Sequence, residues 1–340
     1  MRNVSKYIYG IFISIIIAMS LTFIKLPFII TSPGSAEPVK EMVRVEDGDD
    51  IEKGSLLLTT VSMMRANPLN YIIAQFREYD KIYPIEKVLG NYKDEREYSE
   101  RQIKLMDHSQ EAAKVVAYQK ANKKVEFLNK GVFVLDVIKD MPANKILKSG
   151  DKIITADGKQ IETSDDFINL VKKKKNGDNV NITIKRDKKE RKVRIKVKPF
   201  PDDKTRVGVG ISLATDQEIK VNPSIKIQAG EIGGPSAGLM FSLEIYNQLT
   251  EGDLTKGFNI AGTGTVDLEG NVGPIGGISQ KVVAADKAGA QIFFAPNEKG
   301  KKGSNYREAT KTANKINTEM KIIPIDTFDD AVEYLKKLKG

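Results

Sequence analysis

The stretch Glu231–Leu249, EIGGPSAGLMFSLEIYNQL, places a serine just after two glycines and a proline and just before an apolar helix. Pro235 suits a first helical position, where its missing N–H costs nothing, and Gly233 and Gly234 permit a tight turn ahead of it. Ser236 is therefore expected in the first turn, among free backbone N–H groups and at the positive end of the helix dipole. Those donors are what an oxyanion needs, and also what an ordinary capping serine uses. A nucleophilic serine needs a base. The one histidine of the 340 residues, His108, lies far upstream in the helical segment DEREYSERQIKLMDHSQEAAKVVAYQKAN, whose Ile103, Met106, Ala113 and Val116 suggest a buried stripe.

A second segment, GGISQKVVAADKAGA (Gly276–Ala290), reads as a helix from about Ile278, ended by Gly289, with Ile278, Val282 and Ala285 on its apolar stripe. At about 100° per residue, Lys281 falls about 60° from Ile278, at the edge of that stripe, whereas Lys287 falls about 180° away and faces water. An amine at an apolar boundary has its charged form disfavoured. Its pKa falls, and it can serve as a general base near neutral pH. A lysine merely snorkelling from a helix edge would look the same in sequence.

The absence of cysteine excludes disulfide frameworks, thiolate metal sites and cysteine nucleophiles. The net charge of +9 is concentrated between Gly131 and Phe200, where 18 Lys and Arg stand against 10 Asp and Glu. There the charges alternate with Ile and Val at period two and lack interleaved aromatics, which describes the wet face of strands; no nucleic-acid partner is expected. No G-x-x-x-x-G-K-[ST] occurs, and GTGTVDLEGNVGPIGG (Gly262–Gly277) lacks the spacing of a dinucleotide loop. Neither an ATP-driven engine, a cofactor nor a metal is expected.

Near the N-terminus, Tyr7–Ile24 (YIYGIFISIIIAMSLTFI) is 18 residues without a charge, preceded by Arg2 and Lys6. A helix of that length spans about 27 Å, close to a bilayer core. The run is longer than a usual signal-peptide core, and no clean A-x-A site follows it. A single-pass cell-membrane anchor is expected, with a cytoplasmic N-terminus and everything beyond about Pro27 outside.

From Gly131 the pattern changes to short strands and turns. GVFVLDVIKDMPANKILKSGDKIITADGKQIETSDDFINLVKKK reads as a strand, a short helix at Met141–Leu147, a strand, and a helix capped by Thr163 or Ser164; two further strands follow. This segment, about Asn129–Pro199, resembles PDZ domains of bacterial secreted proteases. The resemblance implies a mostly β fold with two helices, and a peptide-binding loop whose N–H groups at Gly131, Val132 and Phe133 meet a terminal carboxylate.

GGPSAGLMFSLEI together with AGTGTVDLEGNVGPIGGISQKVVAADKAGA resembles the proteolytic domain of Lon-type serine proteases over roughly Val207–Leu338. The resemblance implies a serine–lysine dyad of Ser236 and Lys281, with Thr263 in the place of a threonine that hydrogen-bonds the lysine. Many ATP-dependent members carry an acidic residue three positions before the serine; here that place is Gly233, so no acidic role carries over. The whole arrangement resembles the membrane-anchored, PDZ-containing Lon-like proteases of Gram-positive bacteria, one group of which trims a secreted peptide pheromone. TTVSMMRAN near the N-terminus belongs to the same likeness.

The expected architecture is multi-domain α+β: anchor at 1–26, a membrane-proximal α/β region at 27–128, the PDZ domain at 129–200 and an α+β proteolytic domain at 206–340. The expected function is an ATP-independent serine endopeptidase acting on extracytoplasmic peptides or flexible protein segments through an acyl-enzyme. Lon-type domains commonly assemble into rings, so a homo-oligomer is compatible, although the sequence supplies no interface. Two rivals stand beside it: a non-catalytic PDZ protein with an inert protease scaffold, and a hydrolase using His108, which has no orienting acid beside it.

Overall fold

A computed structural model describes residues 22–339 apart from positions 50, 52, 91, 93 and 202. All but the end of the apolar run Tyr7–Ile24 lies outside the described residues, and with it the expected anchor. Among the described residues no helix is long and apolar enough to cross a membrane. The chain forms two compact units, one made of Met1–Lys124 with Val221–Gly340 and one of Val125–Lys220.

The first unit begins with β1 (Phe28–Pro38) and β2 (Ser55–Arg65), an antiparallel pair with Ile29 opposite Arg65, a bulge between Pro33 and Ala36, and Pro38 opposite Leu57. Consecutive Leu56, Leu57 and Leu58 are all buried, the signature of a strand covered on both faces. Helix α1 (Pro68–Phe76) starts at a reciprocal Asn67–Asn70 capping box followed by Pro68. Strand β3 (Lys81–Pro84) pairs with the other side of β1 and leads into the short α2 (Ile85–Leu89). Helix α3 (Glu95–Lys120) is capped by Asp94, with Glu95 and Glu97 complementing its dipole. It buries Met106, Ala113 and Val116 of the expected stripe, whereas Ile103 stays exposed.

The second unit contains β4 (Lys124–Val137), β5 (Lys152–Ala156), α4 (Ser164–Lys172), β6 (Asn179–Arg186), β7 (Lys189–Lys196) and β8 (Ile211–Asn222). The sheet order is β8-β4-β5-β6-β7. Val132, Val134, Ile153, Ile182, Ile184 and Phe167 form its core. Thr163 caps α4 in a box with Asp166. The helix expected at Met141–Leu147 is a 3-10 turn, Pro142–Lys145, so this unit has one α-helix rather than two. Lys192, Arg194 and Lys196 of β7 are exposed while Ile195 is buried, as the period-two pattern requires. Buried Asp151 accepts from Arg186 Nε and Nη2, both at 2.6 Å, and from the Lys148 N–H at 2.8 Å.

The chain then returns to the first unit through α5 (Gly238–Leu249), β9 (Asn259–Gly262), α6 (Ile278–Lys287), β10 (Ile292–Pro296), α7 (Asn305–Lys315), β11 (Lys321–Ile325) and α8 (Phe328–Lys336). Its sheet runs β11-β10-β9-β2-β1-β3. Strand β9 is parallel to both β2 and β10, and such neighbours need crossover helices; α6 and α7 supply those between β9, β10 and β11. Leu57, Ala261, Ile278, Val282, Phe293 and Ala309 pack together beneath these helices.

The expected boundaries at 27–128, 129–200 and 206–340 are therefore redrawn. Strand β2 bonds directly to β9, with Leu58 opposite Gly262, so the segment before the PDZ-like unit is half of the peptidase-like sheet and not a separate region. Conversely β8 belongs to the sheet of the inserted unit. Removing one partner of the Asp151–Arg186 pair leaves a charge partly buried, at about 3 kcal/mol. Asp151→Ala is expected to lower hydrogen-exchange protection across β4–β7 while leaving α5 and α6 protected.

Candidate active site

Ser236 lies in a 3-10 turn, Pro235–Ala237, that runs directly into α5; the sequence placed it in the first α-helical turn. Gly234 enters the turn at φ 89°, a conformation open to glycine and costly for other residues. Helix α3 closes over this turn: the Gly234 N–H donates to Gln102 O at 2.8 Å and Ser109 Oγ donates to Pro235 O at 2.9 Å. A Cβ on Gly233 would stand 2.8 Å from Gln102 Cβ, so there is no room for a larger side chain where many Lon-type enzymes carry an acid.

Lys281 lies on α6 and is 4 % exposed, whereas Lys287 on the same helix faces solvent. Its Nζ is 2.7 Å from Thr59 O, 2.9 Å from Ser236 Oγ and 3.1 Å from Thr263 Oγ1. Thr263 Oγ1 donates its own proton to Ser236 O at 3.0 Å, so it can only accept from the lysine. A neutral amine has two N–H bonds, and the two acceptors, Thr59 O and Thr263 Oγ1, take both. Its lone pair is left facing Ser236 Oγ, the one partner with a proton to give. Burial lowers the lysine pKa from 10.5 to about 7.

Gly277 makes this reach feasible. It caps α6 at φ 73°, and a Cβ there would stand 2.7 Å from Val61 Cγ2, so a side chain would push the helix start away from β2. One turn later Lys281 meets the Thr59 carbonyl of that strand. The two functional groups open into a cleft of about 830 Å³, whose wall includes Leu58, Val61, Met63, Met106, Tyr98 and Ile275. His108 is exposed and is not among the lining residues, although its helix does touch the serine turn through Ser109 and Gln102.

Residues 209–337 match the family of the Lon protease (S16) C-terminal proteolytic domain, and residues 106–197 match the PDZ domain family. The Lon protease of Campylobacter jejuni is 35% identical over 102 residues, 30% of this chain and 12% of that protein. That of Campylobacter concisus is 38% identical over 101 residues, 29% of this chain and 12% of that one. The chain thus spans about one eighth of the length of these relatives. Residues 209–337 are thus similar to the Lon-type proteolytic domain and residues 106–197 to PDZ domains. The PDZ domain of the SdrC-like protein of Listeria monocytogenes is 36% identical, over 24% of this chain and 86% of that one, with a TM-score of 0.23.

Within the PDZ unit the expected peptide-binding positions fall in a strand. Gly131, Val132 and Phe133 lie inside β4, which is flanked by β8 on one side and β5 on the other, with Val132 opposite Ile153 and Phe133 opposite Lys152. A peptide can add only to a sheet edge. The edges are β7, lined with charges, and β8, beside the start of α4, where the Ser164 N–H donates to Thr215 Oγ1 at 2.9 Å. The turn into β8 contains Gly210 at φ 84°, where a Cβ would stand 2.1 Å from Met141 Cβ.

In the Lon-type domain, Ser236, Lys281 and Thr263 are brought together. Thr59 is the functional residue that side-chain reasoning missed, because it acts through its carbonyl; it stands first in TTVSMMRAN, the stretch that shares the family likeness. The dry lysine also has a cost in stability. Since its folded pKa is depressed, the unfolded chain binds its proton more readily, and folding loses stability as pH falls from 10.5 to about 7. At about 1.4 kcal/mol per pH unit the loss is on the order of 5 kcal/mol. Lys281→Met removes this dependence. Its stability relative to wild type, from urea midpoints, is expected to be greatest at pH 7 and to shrink as the pH approaches 10.

Proposed function

We propose that the protein is a membrane-anchored, ATP-independent serine endopeptidase that cuts peptides or flexible protein segments outside the membrane, with Ser236 as nucleophile and Lys281 as base. One observation carries this reading: the buried Lys281 amine lies 2.9 Å from Ser236 Oγ, with Thr59 O at 2.7 Å and Thr263 Oγ1 at 3.1 Å as acceptors for the two N–H bonds of its neutral form. Ser236 Oγ gives its proton to Nζ and forms a bond to the scissile carbonyl carbon. N–H groups at the head of α5 hold the oxyanion. The lysine ammonium then protonates the departing amine as the C–N bond breaks. Water attacks the acyl-enzyme, passes a proton to the neutral lysine, and Ser236 leaves with it.

The ammonium formed in the first step finds three acceptors in place, Thr59 O, Thr263 Oγ1 and Ser236 Oγ, so the geometry serves both protonation states. The PDZ unit adds a peptide along β8, supplying binding energy remote from the bond that is cut. The anchor reading rests on Tyr7–Ile24 with Arg2 and Lys6 before it.

Ser236→Ala, Lys281→Ala and Lys281→Arg are each expected to abolish cleavage of a peptide library, the last because guanidinium stays charged, while His108→Ala retains wild-type turnover. Activity is expected to rise with pH around a midpoint of about 7, as the lysine loses its proton. Persistent cleavage in Lys281→Ala would remove the lysine from the role, and no cleavage by wild type would favour an inert scaffold carrying a PDZ domain. The catalytic groups all lie in the discontinuous unit, so replacing 125–220 by a short linker is expected to spare kcat on short peptides. It should raise KM for long substrates; equal effects on both would reduce the PDZ unit to a spacer.

A further inference from the structure

Helix α1 turns its apolar stripe to water. Leu69, Ile72, Ile73 and Phe76 recur at the spacing of one helix face and are 46%, 56%, 39% and 84% exposed. A helix on a soluble unit buries such a stripe. This one buries Ala74 against Ile30 and Ala66, and lays Tyr71 on Phe28 with ring centroids 5.2 Å apart. The four largest apolar side chains are left outside. Scattered exposed apolar residues need no explanation, but a continuous helical face does.

What lies next to this face is the end of the apolar run Tyr7–Ile24. Asn67, the cap of α1, donates from Nδ2 to Thr22 O at 3.4 Å, and the Leu26 N–H donates to Ala66 O at 2.8 Å. The chain leaving the apolar run is thus fastened to the two residues ahead of α1. Phe23 and Ile24 there are themselves exposed, at 82% and 49%. Lys25 and Arg77 flank this face and both face solvent; Glu78 and Asp80 follow Arg77, with Asp80 4.0 Å from its guanidinium. An apolar helical face flanked by cations is the composition of a helix that lies in a membrane interface with anionic headgroups.

We propose that the Leu69–Ile72–Ile73–Phe76 face of α1 docks in the headgroup region of the bilayer that Tyr7–Ile24 enters, giving the peptidase unit a second hold on the membrane. The inference rests on reading that run as an anchor. Met63 of β2 and Tyr83 of β3, the strands before and after α1, stand in the wall of the catalytic cleft. Docking therefore keeps the cleft beside the membrane surface, where the substrates in reach are peptides and flexible segments at the lipid boundary.

The chain contains no tryptophan, so single-tryptophan variants report without background. Full-length Ile72→Trp, Phe76→Trp, Ile15→Trp in the apolar run, and Leu268→Trp on an exposed hairpin are reconstituted in phosphatidylcholine–phosphatidylglycerol vesicles with and without brominated acyl chains. The expected result is blue-shifted emission, strongly quenched by bromine, at 15, 72 and 76, and neither effect at 268. Quenching at 15 but not at 72 and 76 overturns the docking and leaves the anchor standing. No quenching at 15 overturns the anchor, and the docking then stands or falls on 72 and 76 alone. A blue shift at 72 and 76 that ignores bromine places the face against protein, either a second copy or the chain's own apolar run, and overturns it. Equal quenching at 268 means indiscriminate adsorption and overturns it too.

Discussion

A lysine amine kept away from water, with three oxygens around it and, among the described residues, no carboxylate bonded to it, is the constraint on which the peptidase unit depends. The oxygens come from three separate places: Thr59 on β2, Thr263 just beyond β9, and Ser236 ahead of α5. The parallel pairing of β2 with β9 sets the first two side by side, and Thr59 Oγ1 donates to Gly262 O at 3.2 Å across that pair. Thr263 then ties the third by donating to Ser236 O. Gly277 and Gly234 let the two helices begin where a side chain or an ordinary backbone angle would hold them off. The same desolvation that penalises folding leaves the amine neutral near pH 7, with a lone pair free to take a proton from serine.

This arrangement explains why the first hundred residues cannot be a spacer. Strand β2 supplies both a wall of the cleft and the carbonyl that orients the lysine, while α3 closes over the serine turn through Gln102 and Ser109. The PDZ unit is inserted in the chain between α3 and α5, and every group bonded to the lysine belongs to the other unit.

Local side-chain pattern made Ser236 and Lys281 candidates, through glycines and a proline before a helix and a lysine whose helical phase separates it from Lys287, and family resemblance paired them. Thr263 followed from family resemblance and not from spacing. Thr59 was illegible because any residue can offer a carbonyl, and because its partners lie some two hundred positions away in sequence. The surroundings of Gly131–Phe133 were illegible for a related reason. Whether a strand is an edge or an interior strand is decided by sheet order, which β8 settles from far along the chain. The exposed stripe of α1 reads in sequence as an ordinary apolar helix, since periodicity shows that a face exists but not what covers it.

The central claim is that Lys281 is neutral at working pH. It is tested most directly by a lysine-labelled NMR titration that follows the Lys281 side-chain signals, assigned by their loss in Lys281→Arg. Those signals are expected to titrate near 7. Titration near 10.5, the ordinary lysine value, would show a charged amine at the serine and contradict the neutral base.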